Sequence, residues 1–454
     1  MILALLFSLA APADWVPARW NWSDPATLDL LQGTPVNCLL LKSPDRTFVS
    51  KAAERGIATL ALLAPGGDTL AQARQAVRAE ARGVVLEGDF EENATTQVRD
   101  LMARSGGVVI ELPSRARMRF DTPDAITGTW QGLWPGIHVL EDGAAKAAPT
   151  GSPWIDTNAG FIRAAQARTS AVIWMGNLPP SKTVLRAEGY LHAICDAAIL
   201  GARWIVALDD DLASRLRQGE PAALKTWRRM AQYLEFFEKH REWRGLRPKG
   251  RLAVVQDIDS GALVSGGILD MLGARHTPMR TIPRDRLNPE TLQGASMAVS
   301  VDPDTLSPQQ REILRGFARS GGTLLTTPPG SRILAPPDPK RITLEESQVN
   351  RLNDIWRDVQ SMIGRRNLGV RLFNVSGMLS NLLAGPEGTP VVIHLVNYTS
   401  YPVENITVHL LGTFHRATLW TPEAGERALT PYKTEEGTGL DVESIAVCAT
   451  LRAE

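Results

Sequence analysis

The chain has 454 residues, with 49 lysines and arginines against 49 aspartates and glutamates. That length implies two or three domains, and the balanced charge excludes a protein that coats nucleic acid through a basic face. Twelve tryptophans are expected chiefly as core, with sugar-binding clefts as the other common use of flat indole faces.

Taken in order, Met1 to Ala13 reads MILALLFSLAAPA. It is a short apolar run closing on small residues, the pattern of a secretory signal, although it lacks a basic leading region. No later apolar run reaches the ~20 residues that span a bilayer. The expectation is a periplasmic or secreted protein without a transmembrane segment.

Strand and helix patterns then alternate across residues 14–247. Strands are expected at Trp15 to Trp22, Val36 to Leu41, Ile57 to Leu63, Gly83 to Leu86, Val108 to Leu112, Ala125 to Trp130, Ser170 to Met175 and Arg203 to Leu208. Helices are expected between them, and a long amphipathic one at Leu224 to Trp243 closes the series. Eight such repeats match a (β/α)8 TIM barrel, which typically takes about 250 residues. An open doubly wound sheet is the rival, but no glycine-rich phosphate turn follows any strand.

Residues 248–335 read as a small open α/β domain, with strands at Arg251 to Val255, Met279 to Ile282, Ser296 to Val301 and Thr323 to Thr327. Ser307-Pro308 marks a capped helix start there. Residues 336–369 form a proline-rich linker and a helix. Residues 370–454 are strand-rich, with strands at Val370 to Asn374, Val391 to Asn397, Val403 to Leu410, Ala417 to Leu419 and Ile445 to Leu451. They predict a terminal β-sandwich. Cys38, Cys195 and Cys448 are far apart in apolar segments and read as buried small hydrophobes rather than a disulfide framework.

Three local stretches carry a resemblance: Val391-Val-Ile-His-Leu-Val-Asn-Tyr-Thr with Val403-Glu-Asn-Ile-Thr-Val, Arg315-Gly-Phe-Ala-Arg-Ser-Gly-Gly-Thr-Leu-Leu, and the loops Trp134-Pro-Gly and Pro153-Trp-Ile-Asp-Thr-Asn. With the domain order they make the chain resemble bacterial glycoside-hydrolase-like proteins. These include β-galactosidases built from a barrel, a flavodoxin-like trimerisation domain and a C-terminal β domain. The resemblance implies a carbohydrate ligand, no organic cofactor, and a homo-oligomer formed through the middle domain. It also implies an acid/base glutamate after strand four and a nucleophilic glutamate after strand seven. Glu87 fits the first place; the seventh strand ends Met175-Gly176-Asn177, without a carboxylate. A second plan, with aspartates after strands four and six, matches Asp89 and Asp156 by position.

The catalytic candidates are therefore Glu87 and Asp89, at the end of a buried strand, together with Asp156; helix capping or ion pairing is the structural alternative for each. Trp22, Trp130, Trp134, Trp154, Asn158 and Asp209 are the substrate-binding candidates. Asp209 to Asp211 could ligate Ca²⁺, but capping is the commoner role. Glu111 is expected to pair with Arg115. The histidines, including His138 near Trp134, lack metal-ligand spacing, so no metal is expected. The rival to a hydrolase is a non-catalytic carbohydrate-binding or scaffold relative that has lost the acid after strand seven.

Overall fold

The computed structural model describes residues 11–139, 145–147, 156–181, 183–257, 261–327 and 342–454. Met1 to Ala10, Trp154 and the side chain of His138 lie outside the described set. The chain forms two compact units. One comprises Met1–Gly132, Thr169–Ala187 and Ala202–Lys239; the other comprises Leu133–Arg168, Glu188–Gly201 and His240–Glu454. The helices are α1 Arg46–Glu54, α2 Thr69–Arg78, α3 Glu92–Ser105, α4 Ala159–Gln166, α5 Ala187–Ala198, α6 Asp210–Arg217, α7 Pro221–Lys239, α8 Ala262–Ser265, α9 Gly267–Ala274, α10 Pro308–Arg319 and α11 Glu346–Ile363.

The first unit contains all eight expected strands: β1 Pro17–Trp20, β2 Cys38–Leu41, β3 Ala58–Leu63, β4 Gly83–Glu87, β5 Val108–Leu112, β6 Ile126–Thr129, β7 Val172–Met175 and β8 Arg203–Trp204. They lie in two parallel sheets, β1 to β5 in chain order and β6-β7-β8. A parallel bridge between Ala18 and Val206 joins them, with Arg19 N donating to Val206 O at 2.8 Å and Val206 N to Pro17 O at 3.0 Å. At the other edge β5 and β6 are not laddered. There Thr129 Oγ1 and Trp130 N donate to Pro113 O at 2.7 and 3.3 Å. The described ladders thus give two parallel sheets, and a closed ring is not among them.

Burial explains the strand chemistry. CLLL of β2 is buried throughout, as is GVVL of β4, the near-continuous apolar pattern of strands covered on both faces. One core holds Trp15, Leu40, Leu60, Val85, Ile110, Ile126, Trp174 and Ile205, drawn from or beside every strand. Asp45 and Asp68 cap α1 and α2, accepting from Phe48 N at 3.0 Å and Ala71 N at 2.8 Å, which satisfies N–H groups that have no partner in the helix. The sequence pattern missed α6, a separate turn of chain before α7.

In the second unit β9 Leu252–Gln256, β10 Met279–Pro283, β11 Met297–Ser300 and β12 Thr323–Thr326 form a parallel sheet of order β10-β9-β11-β12. Leu252 and Val254 face Leu269, Leu272, Leu352 and Val359 of α9 and α11. Ala253 and Val255 face the other way, toward Leu292 and Leu314. The sequence predicts a capped helix start at Ser307, and there Ser307 and Gln310 complete a reciprocal capping box at the start of α10.

The C-terminal strands are β13 Val370–Phe373, β14 Met378–Ala384, β15 Val391–Asn397, β16 Val403–Leu411, β17 Ala417–Thr421, β18 Gly425–Leu429, β19 Tyr432–Lys433, β20 Gly437–Ile445 and β21 Cys448–Ala453. The short strand Arg247–Pro248 edges a sheet that continues β14-β15-β21-β17-β18; the other sheet is β13-β16-β20-β19. Both contribute to one core, with Leu382, Ile393 and Leu451 from the first and Val408 and Leu440 from the second. The expected strand Ile445 to Leu451 is instead the end of β20, a turn and most of β21.

His394 of β15 makes this unit acid-sensitive. It is 2% exposed, and its Nδ1 lies 2.9 Å from Thr450 Oγ1. Burial, aided by nearby His240, lowers its pKa to about 3, whereas the unfolded chain titrates near 6.5. Between those values the unfolded state holds the extra proton. The contribution is therefore complete above pH 6.5 and is lost as pH falls toward 3. At pH 5 the expected loss is about 2 kcal/mol. Urea unfolding at pH 7 and pH 5 should show it, with a smaller difference in His394→Gln; an identical difference in that variant would refute the assignment.

Candidate active site

The acids singled out at the end of β4 sit where a strand leaves a packed core. Val85 belongs to the core that draws on all eight strands. Glu87, two residues on, faces the same side because strand side chains alternate. Arg19 of β1 meets it there. Arg19 Nη1 donates to Glu87 Oε2 at 3.0 Å, Nη2 donates to Oε1, and Nη2 also donates to Gly176 O at 3.0 Å. The two side chains are 8% and 19% exposed. Such a fork holds both carboxylate oxygens in fixed directions. Glu87 is thus an acceptor on both oxygens, which suits a nucleophile or a holder of sugar hydroxyls better than a proton donor.

Gly176, just past β7, makes this approach possible. A Cβ there would lie 2.8 Å from Thr129 O, 3.1 Å from Trp130 Cα and 3.5 Å from Arg19 Nη2. The tip of β7 therefore supplies a carbonyl where the resemblance implies a carboxylate. The backbone of Trp130 also packs against Gly176. Trp130 is 41% exposed, an open indole that can stack on the apolar face of a sugar ring.

Gly88 turns the chain with φ 121°, a conformation that L side chains avoid. That turn separates Glu87 from Asp89. Asp89 is exposed and accepts from Ser114 N at 2.8 Å through Oδ1. Among the described residues its Oδ2 has no partner, so it is the more open acid of the two. Glu111 pairs with Arg99, not Arg115: Arg99 Nε reaches Glu111 Oε1 at 2.8 Å and Nη2 reaches Asp124 at 2.9 Å. Arg115 instead donates its backbone N to Gln131 Oε1 at 2.9 Å and its Nε to Gln131 O at 3.2 Å. Asp209 caps α6 through Leu212 N at 2.8 Å and accepts from Leu185 N at 3.0 Å, so both its oxygens serve backbone donors. Trp22 is half-buried and packs edge-on against Trp20, with ring centroids 4.7 Å apart. A cleft of about 370 Å³, lined by Ile57, Arg82 and Gly107 among others, lies at the opposite, N-terminal ends of β3 to β5.

The remaining candidates belong to the second unit. Asp156 is 5% exposed, and its carbonyl accepts from Gly136 N at 3.0 Å. Trp134 is 3% exposed; its Nε1 donates to Gly189 O at 3.0 Å and its ring meets Tyr190 edge-on, which leaves no open face for a sugar. Asn158 Oδ1 accepts from Leu133 N at 2.8 Å, and its Nδ2 donates to Leu133 O and to Asp196 Oδ2, both at 2.9 Å. Its amide is used within the fold. The sequence reading missed Arg19 and Asp196. Each is a charged residue inside an apolar run, PARW and AICDAA, and that incongruity was the available signal. Among the described residues no group of His, Cys, Asp and Glu is arranged for a metal ion, and no helix is long and apolar enough to cross a membrane.

For any saccharide that the protein binds at this end of the strands, Trp130→Ala should weaken binding roughly five- to tenfold, as expected for losing one stacking face. The unfolding midpoint should be unchanged because the ring is open to solvent. Calorimetric titration with a bound oligosaccharide measures the first and a thermal melt the second. Unchanged affinity would remove Trp130 from the site.

No protein-family model matches the chain, and no curated protein matches it in sequence. Solved structures do match. The α-L-fucosidase isoenzyme 2 from Paenibacillus thiaminolyticus superposes with a TM-score of 0.66 at 10% identity, over 97% of this chain and 99% of that one. The β-galactosidase from Rahnella sp. R3 superposes with a TM-score of 0.56 at 10% identity, over 98% and 99%. At such identity the likeness is one of fold, and it extends along nearly the whole chain. The protein has a glycoside-hydrolase-like fold.

Proposed function

We propose that the protein is a glycoside hydrolase acting on an extracytoplasmic carbohydrate. Its first unit is a (β/α)8-type barrel with Glu87 and Asp89 at the C-terminal mouth. The single core shared by residues from or beside all eight strands supports the barrel. The parallel sheet of the second unit is a flavodoxin-like domain through which the protein forms a homo-oligomer, and the C-terminal sheets form a β-sandwich. The observation that carries the activity is the Arg19–Glu87 fork at the end of β4, two residues before the exposed Asp89. Held from both oxygens, Glu87 is the nucleophile or electrostatic stabiliser, and Asp89 is the proton donor. Asp156 enters the proposal from the sequence alone.

A second reading has one observation in its favour. The tip of β7 carries Gly176, whose carbonyl accepts from Arg19, rather than a carboxylate. That arrangement fits a relative that binds sugar without cleaving it.

The deciding experiment screens purified protein against nitrophenyl glycosides and plant and bacterial polysaccharides, for both turnover and binding. Glu87→Gln, Asp89→Asn and Asp156→Asn are assayed beside the wild type. Turnover lost in Glu87→Gln supports the hydrolase. Binding without turnover supports the second reading, and turnover unchanged in all three variants overturns the residue assignment.

A further inference from the structure

We propose that the outer face of the sheet β13-β16-β20-β19 is a separate carbohydrate-binding surface, which takes a neutral oligosaccharide across its strands with one pyranose stacked on Tyr432. The two C-terminal sheets differ in how they are covered. In the sheet that holds β14 and β15, both of those strands are buried along their whole length. β16 instead alternates: Ile406, Val408 and Leu410 enter the core, while Thr407 and His409 are half-buried on the other side. Residues directly opposite in a ladder share a face. The register therefore places Arg371, Phe373, Thr407, His409, Gly439 and Asp441 together on this open face.

Tyr432 of the edge strand β19 is the ladder partner of Gly439, and its ring lies over that glycine: a Cβ at 439 would come within 2.3 Å of the ring. The ring is thus seated on backbone, yet Tyr432 is 40% exposed. Its hydroxyl donates to Asp441 Oδ1 at 3.0 Å, and Thr407 Oγ1 donates to the same oxygen at 2.9 Å. Both internal donors use one carboxylate oxygen, and among the described residues Asp441 Oδ2 has no partner. His409 stands beside the ring, centroids 6.4 Å apart and planes at 85°. Further along, Arg371 lies over Phe373 at 5.0 Å. Its Nη1 donates to Glu436, while among the described residues its Nη2 has no hydrogen-bond partner. The apolar C–H face of a pyranose stacks on an open aromatic ring, its hydroxyls donate to a fixed carboxylate oxygen, and they accept from a guanidinium. The row Tyr432, Gly439, His409, Arg371 crosses four strands, about 14 Å at the usual strand spacing, so a chain of sugars rather than a single one touches both ends. Charge decides against other occupants. An apolar partner would bury the Asp441 carboxylate without a donor for Oδ2, and an anionic one would meet Asp441 and Glu436 against the one charge of Arg371. The surface lies outside the unit that carries Glu87 and does not depend on cleavage there.

The test uses the full chain. Cellohexaose, xylohexaose, mannohexaose and maltohexaose are titrated calorimetrically, at millimolar concentration, into the wild type, Tyr432→Ala, Tyr432→Phe, Asp441→Ala and Trp130→Ala. Thermal melts check that each variant is folded. At least one of the oligosaccharides should bind the wild type. Tyr432→Ala should weaken that binding about tenfold and Asp441→Ala roughly three- to tenfold, whereas Tyr432→Phe, which keeps the stacking face, should stay within about threefold. If Tyr432→Ala fails to fold, Asp441→Ala carries the same test. No binding of any of the four, equal affinity in Tyr432→Ala and the wild type, or loss confined to Trp130→Ala would each overturn the proposal. So would a concentration-dependent dimer of the wild type that Tyr432→Ala abolishes, since the face would then be covered by a second copy. Failure of the hydrolase reading shows separately, as absent turnover of nitrophenyl glycosides by the wild type.

Discussion

Asp196→Ala is expected to destabilise the second unit by about 3–5 kcal/mol, the range for stripping one partner from a buried polar network. Asp196 is 0% exposed. Its Oδ1 accepts from Thr157 Oγ1 and from Tyr398 Oη at 2.6 Å, and its Oδ2 accepts from Asn158 N and Nδ2, both at 2.9 Å. Alanine would take this acceptor away from all four donors, of which Asn158 Nδ2 keeps a second acceptor, Leu133 O. Tyr398→Phe removes a single donor and should cost about 1 kcal/mol. Whole domains have ~5–15 kcal/mol in hand, so Asp196→Ala should lower the denaturant midpoint visibly by circular dichroism. A loss below 1 kcal/mol would show that the network contributes little. Burial raises the Asp196 pKa, while its bonds to Thr157, Tyr398 and Asn158 oppose the rise. Its folded value therefore exceeds the unfolded one near 3.9. The stability linked to its proton is greatest below that pH and falls as pH rises through the folded value, the opposite sense to His394.

The second large effect concerns Glu87. For a substrate that the protein turns over, Glu87→Gln should lower kcat roughly 10²- to 10⁴-fold, the span seen when a positioned acid or base is removed. The same replacement puts an N–H₂ group against the Arg19 fork, so it should also lower stability. Arg19→Met leaves Glu87 half-buried without its cation and should cost on the order of 3 kcal/mol. The double variant Arg19→Met/Glu87→Met separates the two consequences. Replacing a buried ion pair by apolar groups of similar volume is often neutral, so the double variant should regain most of the lost stability while remaining inactive. Steady-state kinetics and urea melts on the wild type, Arg19→Met, Glu87→Met and the double variant complete the cycle. If activity returned with stability, the pair would be purely structural.

Much of the fold was legible because local rules act locally. Runs such as CLLL and GVVL must be buried, and an apolar run of that length beside a helix pattern predicts a covered parallel strand. Ser307 announced a helix start that the structure bears out. The misses have a common cause. β14, MLSNLLA, is buried along its whole length, yet its Ser and Asn break the apolar pattern. Those polar groups are tolerable only because His276 Nδ1 lies 3.1 Å from Ser380 Oγ and Arg163 donates to Asn381 at 2.9 Å, partners remote in sequence. Likewise the stretch Ile445 to Leu451 looks continuous as sequence but turns between two strands that pair with different neighbours.

By itself, then, the sequence determined the alternation of strands and helices, the strand-rich C-terminal part and the pair of acids at the end of β4. Each follows from periodicity, turn residues or a polar break in an apolar run, all within a few residues of chain. Only the tertiary structure decided what those acids touch. Arg19 and Glu87 are 68 residues apart, and Arg19 and Gly176 are 157 apart. Nothing local encodes such meetings; they arise when parallel strands align their C-terminal ends and a glycine leaves room for a guanidinium. The same holds for Asp196, whose carboxyl is held in an apolar helix by donors from two other segments.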